Sequence, residues 1–174
     1  VVVSAGCVNT DVDPVGCRFG LADAKGTLLL LGDSQAYAMA DGLIDAAGAL
    51  GYDVVVSSHT GCPFLGRDSS GGNHAACPLW QGHALDFALE FRPSAVVIAN
   101  RSAAYVHPDR GWRTMLRDDG QRAETVDEAK AIWRLGLQEV VDPLRDAGIP
   151  VVIIASVAEM PRFKDGRTLF AQAF

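Results

Sequence analysis

The stretch Thr27-Leu28-Leu29-Leu30-Leu31-Gly32-Asp33-Ser34-Gln35 decides the fold of this chain. A continuous apolar run of this length, ended by a glycine, is typical of a strand that is buried on both faces. Residues 36–50 then carry apolar side chains at helical spacing, and Gly51 ends that pattern. The stretch therefore predicts a buried strand, an abrupt turn at Gly32 and a helix whose first turn contains Ser34.

The same alternation of strand and helix continues along the chain. The pattern predicts further strands and helices over residues 53–57 (strand), 84–91 (short helix), 95–99 (strand), 123–147 (long helix, bent by Pro143) and 151–155 (strand). Strands that alternate with helices at this spacing form a parallel sheet through right-handed crossovers. We therefore predict an α/β fold, a three-layer α/β/α sandwich with a parallel sheet that looks unfinished at its C-terminal end.

Composition limits the class of protein. The 174 residues are 49% hydrophobic and 21% charged, which fits one folded domain and excludes disorder. The net charge of −6 argues against nucleic acid as a partner, because that would need a basic face. No apolar run reaches the roughly 18–20 residues of a membrane span. We expect a single domain over residues 1–174, with residues 1–25 as an irregular N-terminal lead-in and residues 59–82 as a long loop.

The four cysteines, Cys7, Cys17, Cys62 and Cys77, lie in sequence rich in Gly, Pro and Asn. No Cys-x-x-Cys pair occurs, so neither a zinc ribbon nor a thioredoxin-type motif is supported. An even number of loop cysteines indicates an oxidising compartment. Of the three possible pairings we favour the local ones, Cys7–Cys17 and Cys62–Cys77, and four free cytosolic thiols are the alternative.

Polar residues follow the first three predicted strands, at Asp33-Ser34, at 57–61 and at 100–102. Ligands of open parallel sheets bind at these carboxyl ends. Ser34 lies in the first turn of a predicted helix, where free backbone N–H groups and the helix dipole stabilise negative charge. It could attack an acyl carbon while its own N–H supports the oxyanion. The alternative is that Asp33 or Ser34 serves only as a helix cap.

Four segments together carry a resemblance to a known family: Leu31-Gly32-Asp33-Ser34-Gln35-Ala36, Gly61-Cys62-Pro63, Cys77-Pro78-Leu79-Trp80 and Val96-Val97-Ile98-Ala99-Asn100-Arg101. They resemble the SGNH/GDSL hydrolase superfamily, and within it the SGNH domain fused to bacterial acyltransferase-3 membrane proteins. The composition is similar to that of actinobacterial members, and the resemblance runs from about Cys7 to Pro161. It implies an SGNH-hydrolase-like fold with flavodoxin-like topology.

The resemblance also implies roles for individual residues. Ser34 matches the nucleophile and, through its N–H, an oxyanion donor, with Asp33 and Gly32 in support. Gly61 matches a second backbone donor to the oxyanion. Asn100 matches a side-chain donor, although the family's usual Gly-x-Asn-Asp reads Ala-Asn-Arg here.

The general base of this superfamily lies in an Asp-x-x-His motif near the C-terminus. The sequence has no such motif, and its four histidines, at positions 59, 74, 83 and 107, all precede the expected position. We interpret His59 as a loop residue rather than the base. The expectation is that the C-terminal Asp-x-x-His segment is missing from residues 1–174.

By resemblance, the function is O-acyl transfer on the periplasmic or cell-surface side, by a domain tethered to the membrane in the full-length protein. A fused membrane acyltransferase-3 domain would deliver an acetyl-like acyl group to Ser34, and a cell-envelope glycan or glycolipid would accept it. This chemistry needs no metal and no organic cofactor. One alternative is a carbohydrate O-acetyl esterase that uses the same serine. Another is a non-catalytic domain that binds a glycan or a partner.

The segment 101–122 has two further interpretations. Trp112 is interpreted as a packing residue, and the alternative is that Tyr105 and Trp112 line a groove for a sugar acceptor. Arg101, Arg110, Arg113 and Arg117 are interpreted as a solvated loop, and a cluster that holds an anionic group is the alternative.

Overall fold

The computed structural model describes residues 2, 5–7, 17–70, 76–108 and 113–155. Their regular elements, in chain order, are the strands and helices β1 (Arg18–Phe19), β2 (Thr27–Gly32), α1 (Ser34–Ala49), β3 (Asp53–Ser58), β4 (Ser69–Ser70), α2 (Cys77–Phe91), β5 (Ala95–Ala99), β6 (Thr114–Met115), α3 (Val126–Asp146) and β7 (Val151–Ile154). A short 3-10 helix, Ser102–Ala104, follows β5.

The main sheet has the strand order β1-β3-β2-β5-β7. Strands β3, β2, β5 and β7 are parallel, and β1 pairs with β3 in the antiparallel sense. Gly32, the last residue of β2, lies opposite Ser58 of β3 and Ala99 of β5. The predicted α/β fold with a parallel sheet is confirmed, and the carboxyl ends of its three inner strands meet at one edge.

Helices cover both faces of this sheet. Leu30, Val54 and Val97 pack on one face with the alanines of α1, among them Ala36 and Ala40. Because alanine is small, α1 lies close to the strands.

The other face carries α2 and α3. There Leu29, Leu31 and Ile98 pack against Trp80 of α2 and Leu144 of α3. The alternation of neighbouring leucines between the two faces is what a strand buried on both sides requires.

Helix α2 is longer than the sequence pattern predicts. It begins at Cys77 instead of residue 84, so the predicted loop over 59–82 is wrong in its last part. Pro78 lies in the first turn, where its missing N–H costs no helical hydrogen bond. A proline is typical both of loops and of the first turn of a helix, so Pro78 alone does not distinguish the two.

Three short strands also escaped the sequence analysis. Strand β1 lies inside the predicted irregular lead-in, where Arg18 makes an ion pair with Asp53. Strands β4 and β6 form a separate two-stranded sheet. Two residues are too few to show an alternation of apolar and polar side chains, so no periodicity was available to find them.

Both favoured disulfides are present. Cys7 is bonded to Cys17 and Cys62 to Cys77, with Cα–Cα distances of 5.6 and 5.3 Å. The first joins two residues of the lead-in, Cys7 and the residue just before β1, and the second joins the segment after β3 to the start of α2. In the part of the chain described above, no helix has the length and apolar character needed to cross a membrane.

Candidate functional site

Gly32 lets the chain leave the sheet abruptly. Its φ is +150°, and a Cβ built on it would lie 2.1 Å from the carbonyl oxygen of Ala99. No side chain fits at that distance, so only glycine allows β2 and β5 to approach so closely here. The chain turns at this position directly into α1, and Ser34 becomes the first residue of the helix.

Asp33 is the N-cap of α1 and is fully buried. Its Oδ1 accepts a hydrogen bond of 2.8 Å from the N–H of Gln35. The N–H of Arg101 donates to both carboxylate oxygens, at 3.1 and 3.0 Å. Asp33 therefore caps the helix, as one interpretation of the sequence held, and also joins the end of β2 to the segment after β5. Ser34 beside it is half-buried.

Burial and hydrogen bonding have opposite effects on the pKa of Asp33. Burial raises the pKa of the Asp33 carboxyl above its ordinary value of 3.8, because a buried carboxylate loses its hydration. The two backbone N–H groups, a hydrogen bond from the Tyr105 hydroxyl and the charge of Arg113 oppose that rise. Each of them stabilises the ionised form of Asp33.

Gly61 lies in a tight turn over residues 59–62, closed by a 2.9 Å hydrogen bond from Cys62 N–H to the carbonyl of His59. Its φ of +82° is the value that the third residue of a type II turn requires. The N–H of His59 donates to the Gly32 carbonyl at 3.1 Å. The turn thus begins beside Gly32, at the same sheet edge as Ser34.

Asn100 follows β5 and is 4% exposed. Its Oδ1 accepts a 2.9 Å hydrogen bond from the N–H of Phe64, and its Nδ2 donates to the carbonyl of Phe64 at 3.2 Å. This two-point contact holds the segment after Gly61 against the end of β5. Asn100 therefore has a structural task that the sequence analysis did not foresee.

Tyr105 and Arg113 also lie at this edge, and their positions differ from those that the sequence predicted. Tyr105 is fully buried and stacks on Trp133 with ring centroids 5.7 Å apart, so it does not line an open groove. Arg113 is half-buried, and a Cβ on Gly61 would lie 2.8 Å from its Nη2. Arg113 is thus packed at the site and is no part of a solvated loop. The one feature of the sequence that could have indicated their place is that a tyrosine and an arginine occur in the same polar segment. Trp112 and Arg110 lie outside the described residues.

Among the described residues, no histidine is hydrogen-bonded to Ser34. His59 is half-buried, with Nδ1 3.1 Å from Cys62 Sγ and its ring 6.0 Å from that of Trp80. His83 is exposed on α2, and His107 is half-buried after the 3-10 helix. His74 and the segment after residue 155 lie outside the described residues.

The described residues form a groove and a smaller hollow. A groove of about 460 Å³ lies between α2 and α3 and includes Arg67, Arg117 and Glu139, but not Ser34. A smaller hollow of about 70 Å³ at the ends of β5 and β7 is lined in part by Asn100. Among the described residues, no group of three or more His, Cys, Asp and Glu side chains is placed to hold a metal ion.

Fold and site together define an α/β/α domain with a candidate serine site at the carboxyl edge of a parallel sheet. The sequence matches the family described as SGNH domain (fused to AT3 domains) over residues 6–174. The chain therefore belongs to that SGNH family. No curated protein sequence matches it significantly.

A solved structure supports the fold. The chain is similar to the periplasmic domain of a lipopolysaccharide acetyltransferase from Salmonella ser. Paratyphi A, with a TM-score of 0.59 and 16% sequence identity. The match covers 88% of this chain and 53% of that chain, so these residues span about half the length of the Salmonella domain. At this identity the likeness supports the fold, and the family match alone carries the assignment to the SGNH domains that are fused to AT3 domains.

Proposed function

We propose that this domain transfers an acetyl-like acyl group, through an ester on Ser34, to a cell-envelope glycan or glycolipid outside the cytoplasm. A membrane acyltransferase-3 domain of the same protein would supply the acyl group. The position of Ser34 carries this proposal: it is the first residue of the helix that follows the central strand, beside a buried N-cap carboxylate.

The proposed chemistry begins with attack of the Ser34 Oγ on the acyl carbonyl carbon. A general base takes the hydroxyl proton and the carbonyl electron pair moves to oxygen. Collapse of this oxyanion breaks the bond between the acyl carbon and the donor's leaving group, which takes up the proton from the base. The same steps in reverse order, with a sugar hydroxyl as the attacking group, release the acyl group to the acceptor.

Three donors are assigned to the oxyanion. The backbone N–H groups of Ser34 and Gly61 are the first two, and α1 adds the positive end of its dipole. Asn100 Nδ2 is the third. This assignment follows the resemblance of its position to the family's side-chain donor, and the same Nδ2 donates to the Phe64 carbonyl.

The general base is assigned to an Asp-x-x-His segment outside residues 1–174, because the sequence contains no such motif. Experiments on the chemistry therefore use the full-length protein. The isolated chain serves as the comparison that lacks the motif.

The first experiment asks whether Ser34 forms an acyl-enzyme. We expect that 4-nitrophenyl acetate adds one acetyl group to the full-length protein and that mass spectrometry of its peptides locates the group on Ser34. Ser34→Ala should abolish the adduct. Ser94→Ala is the matched control, because Ser94 is exposed just before β5, at the opposite end of the sheet.

The outcomes separate the proposal from its alternatives. Acyl release that depends on an added glycan supports transfer, whereas equally fast release in water alone supports a carbohydrate esterase. Glycan binding that survives Ser34→Ala, in a protein that never forms the adduct, supports a binding domain and contradicts the proposal.

A further inference from the structure

Arg113 reaches the candidate oxyanion site from outside the motifs that define the family. A Cβ built on Gly61 would lie 2.8, 3.1 and 3.2 Å from Nη2, Cζ and Nη1 of Arg113. All three distances are short, so the guanidinium lies against the glycine turn. The absence of a side chain at position 61 is what makes room for this positive charge.

Tyr105 holds the guanidinium from the other side. Arg113 Nη1 donates to the Tyr105 hydroxyl oxygen at 3.4 Å, and Arg113 Cζ lies 6.0 Å from the ring centroid. The Tyr105 hydroxyl in turn donates to the carboxylate of Asp33. A continuous chain of contacts therefore runs from Gly61 through Arg113 and Tyr105 to the N-cap of α1.

This series of contacts affects the proposed reaction because Asp33 directly precedes the proposed nucleophile, Ser34. A buried carboxylate next to Ser34 repels the negative charge that develops on the acyl oxygen, and a water-poor site strengthens that repulsion. A positive charge at Gly61 opposes it. Arg113 is the arginine that the structure places there.

We propose that the Arg113 guanidinium stabilises the oxyanion formed while the Ser34 ester is made and broken, beside the N–H of Gly61. The inference rests on the proposed function and adds a residue that the family motifs do not include. In each step the carbonyl electron pair moves onto the oxygen facing Arg113 and returns when the oxyanion collapses. The general base takes the proton of the attacking hydroxyl, which is that of Ser34 in the first step and that of the acceptor in the second, and gives it to the leaving group. The guanidinium keeps its own protons. Tyr105 is a positioning residue that fixes the guanidinium.

The test compares arginine variants of the full-length protein on 4-nitrophenyl acetate, in the presence of the added glycan on which acyl release depends. We expect Arg113→Gln to lower kcat by about 100-fold, with KM changed by less than about twofold, because the lost interaction forms only in the transition state. Arg113→Lys should recover part of kcat, since it keeps the charge. Tyr105→Phe should give an intermediate kcat. Arg117→Gln is the control, because Arg117 is bound by Asp119, Glu124 and Glu128 and should retain full activity.

A second ester sharpens the result. On the half-ester 4-nitrophenyl succinate, the loss in Arg113→Gln should equal the loss on the acetate ester. A loss confined to KM of the succinate ester would overturn the inference, because Arg113 would then recognise an anionic acyl group.

Failure of the inference and failure of the proposed function are distinguishable. Unchanged kcat in Arg113→Gln, in a reaction that Ser34→Ala abolishes, overturns the inference alone. If the wild-type protein forms no Ser34 adduct, both fail together. Should Arg113→Gln unfold, as circular dichroism would show, the comparison of Arg113→Lys with Tyr105→Phe decides: full activity in both overturns the inference.

Discussion

Two apolar strands with similar sequences have opposite surroundings in this molecule. In β2, Leu29, Leu30 and Leu31 are at most 1% exposed, whereas Val152 and Ile153 of β7 are 50% and 52% exposed. β2 has a neighbour on each side, and β7 lies at the end of the described sheet. Position in the sheet, rather than composition, therefore decides burial. The candidate site follows β2, which has a strand on each side and a helix layer on each face.

The largest effect is expected at the end of β2. Gly32→Ala would force a Cβ to within 2.1 Å of the Ala99 carbonyl at a φ of +150°, so β2 and β5 must separate. We expect a loss of about 4 kcal/mol or more in the free energy of unfolding, a large fraction of the roughly 5–15 kcal/mol that stabilises an ordinary domain. Urea denaturation followed by circular dichroism measures it.

Gly42→Ala is the matched control for Gly32→Ala. Gly42 lies in α1 with nothing within 4 Å of an added Cβ, so alanine should raise stability by about 0.5–1 kcal/mol. Equal tolerance of the two substitutions would contradict the close approach at Gly32.

The comparison of the two strands can be measured directly. Leu30→Ala leaves a cavity in a filled core and should cost about 2–5 kcal/mol. Ile153→Ala should cost less than about 1 kcal/mol, because half of that side chain is already in solvent. Urea denaturation of both variants gives the two values. Similar costs would show that β7 is covered in solution.

The smallest effect concerns the charge at the turn. Burial raises the pKa of Asp33 above 3.8, so the folded protein binds this proton more tightly than the unfolded chain. The stability that results is fully present below pH 3.8 and is lost as the pH rises through the folded pKa. Asp33→Asn should remove this dependence, because an amide oxygen still accepts the backbone N–H groups but does not titrate.

The measurement for Asp33 is a difference. The free energy of unfolding of the wild type minus that of Asp33→Asn should fall as the pH rises from about 4 to 8. A difference that stays constant over this range would show that Asp33 has an ordinary pKa.

The sequence predicted the central elements well because their patterns are long. The Leu run before Gly32, the β-branched strands and α3 all carry enough residues to show a period, and each lies within a few residues of its predicted place. The start of α2 was missed because its first turn is rich in residues that also mark loops. Strands β1, β4 and β6 have two residues each.

Sequence reasoning predicted the part of the candidate site that a local motif encodes. Gly32, Asp33 and Ser34 are consecutive, and the ends of parallel strands meet by topology, so Gly61 and Asn100 could be placed near them. Tyr105 and Arg113 could not be placed in this way, because they come from an irregular segment whose path depends on tertiary contacts. The hydrogen bonds between Asn100 and the Phe64 backbone likewise could not be predicted from the sequence.

The Cys62–Cys77 disulfide divides the candidate site into two mechanically different halves. Asp33 is fixed by hydrogen bonds to backbone N–H groups, which a reductant does not touch. Gly61 precedes Cys62 directly, so its turn is anchored through sulfur to the first residue of α2. Loss of this disulfide would therefore loosen the glycine half of the candidate site and leave the hydrogen bonds of Asp33 in place. The geometry of the glycine half therefore depends on surroundings that are oxidising enough to keep the Cys62–Cys77 disulfide formed.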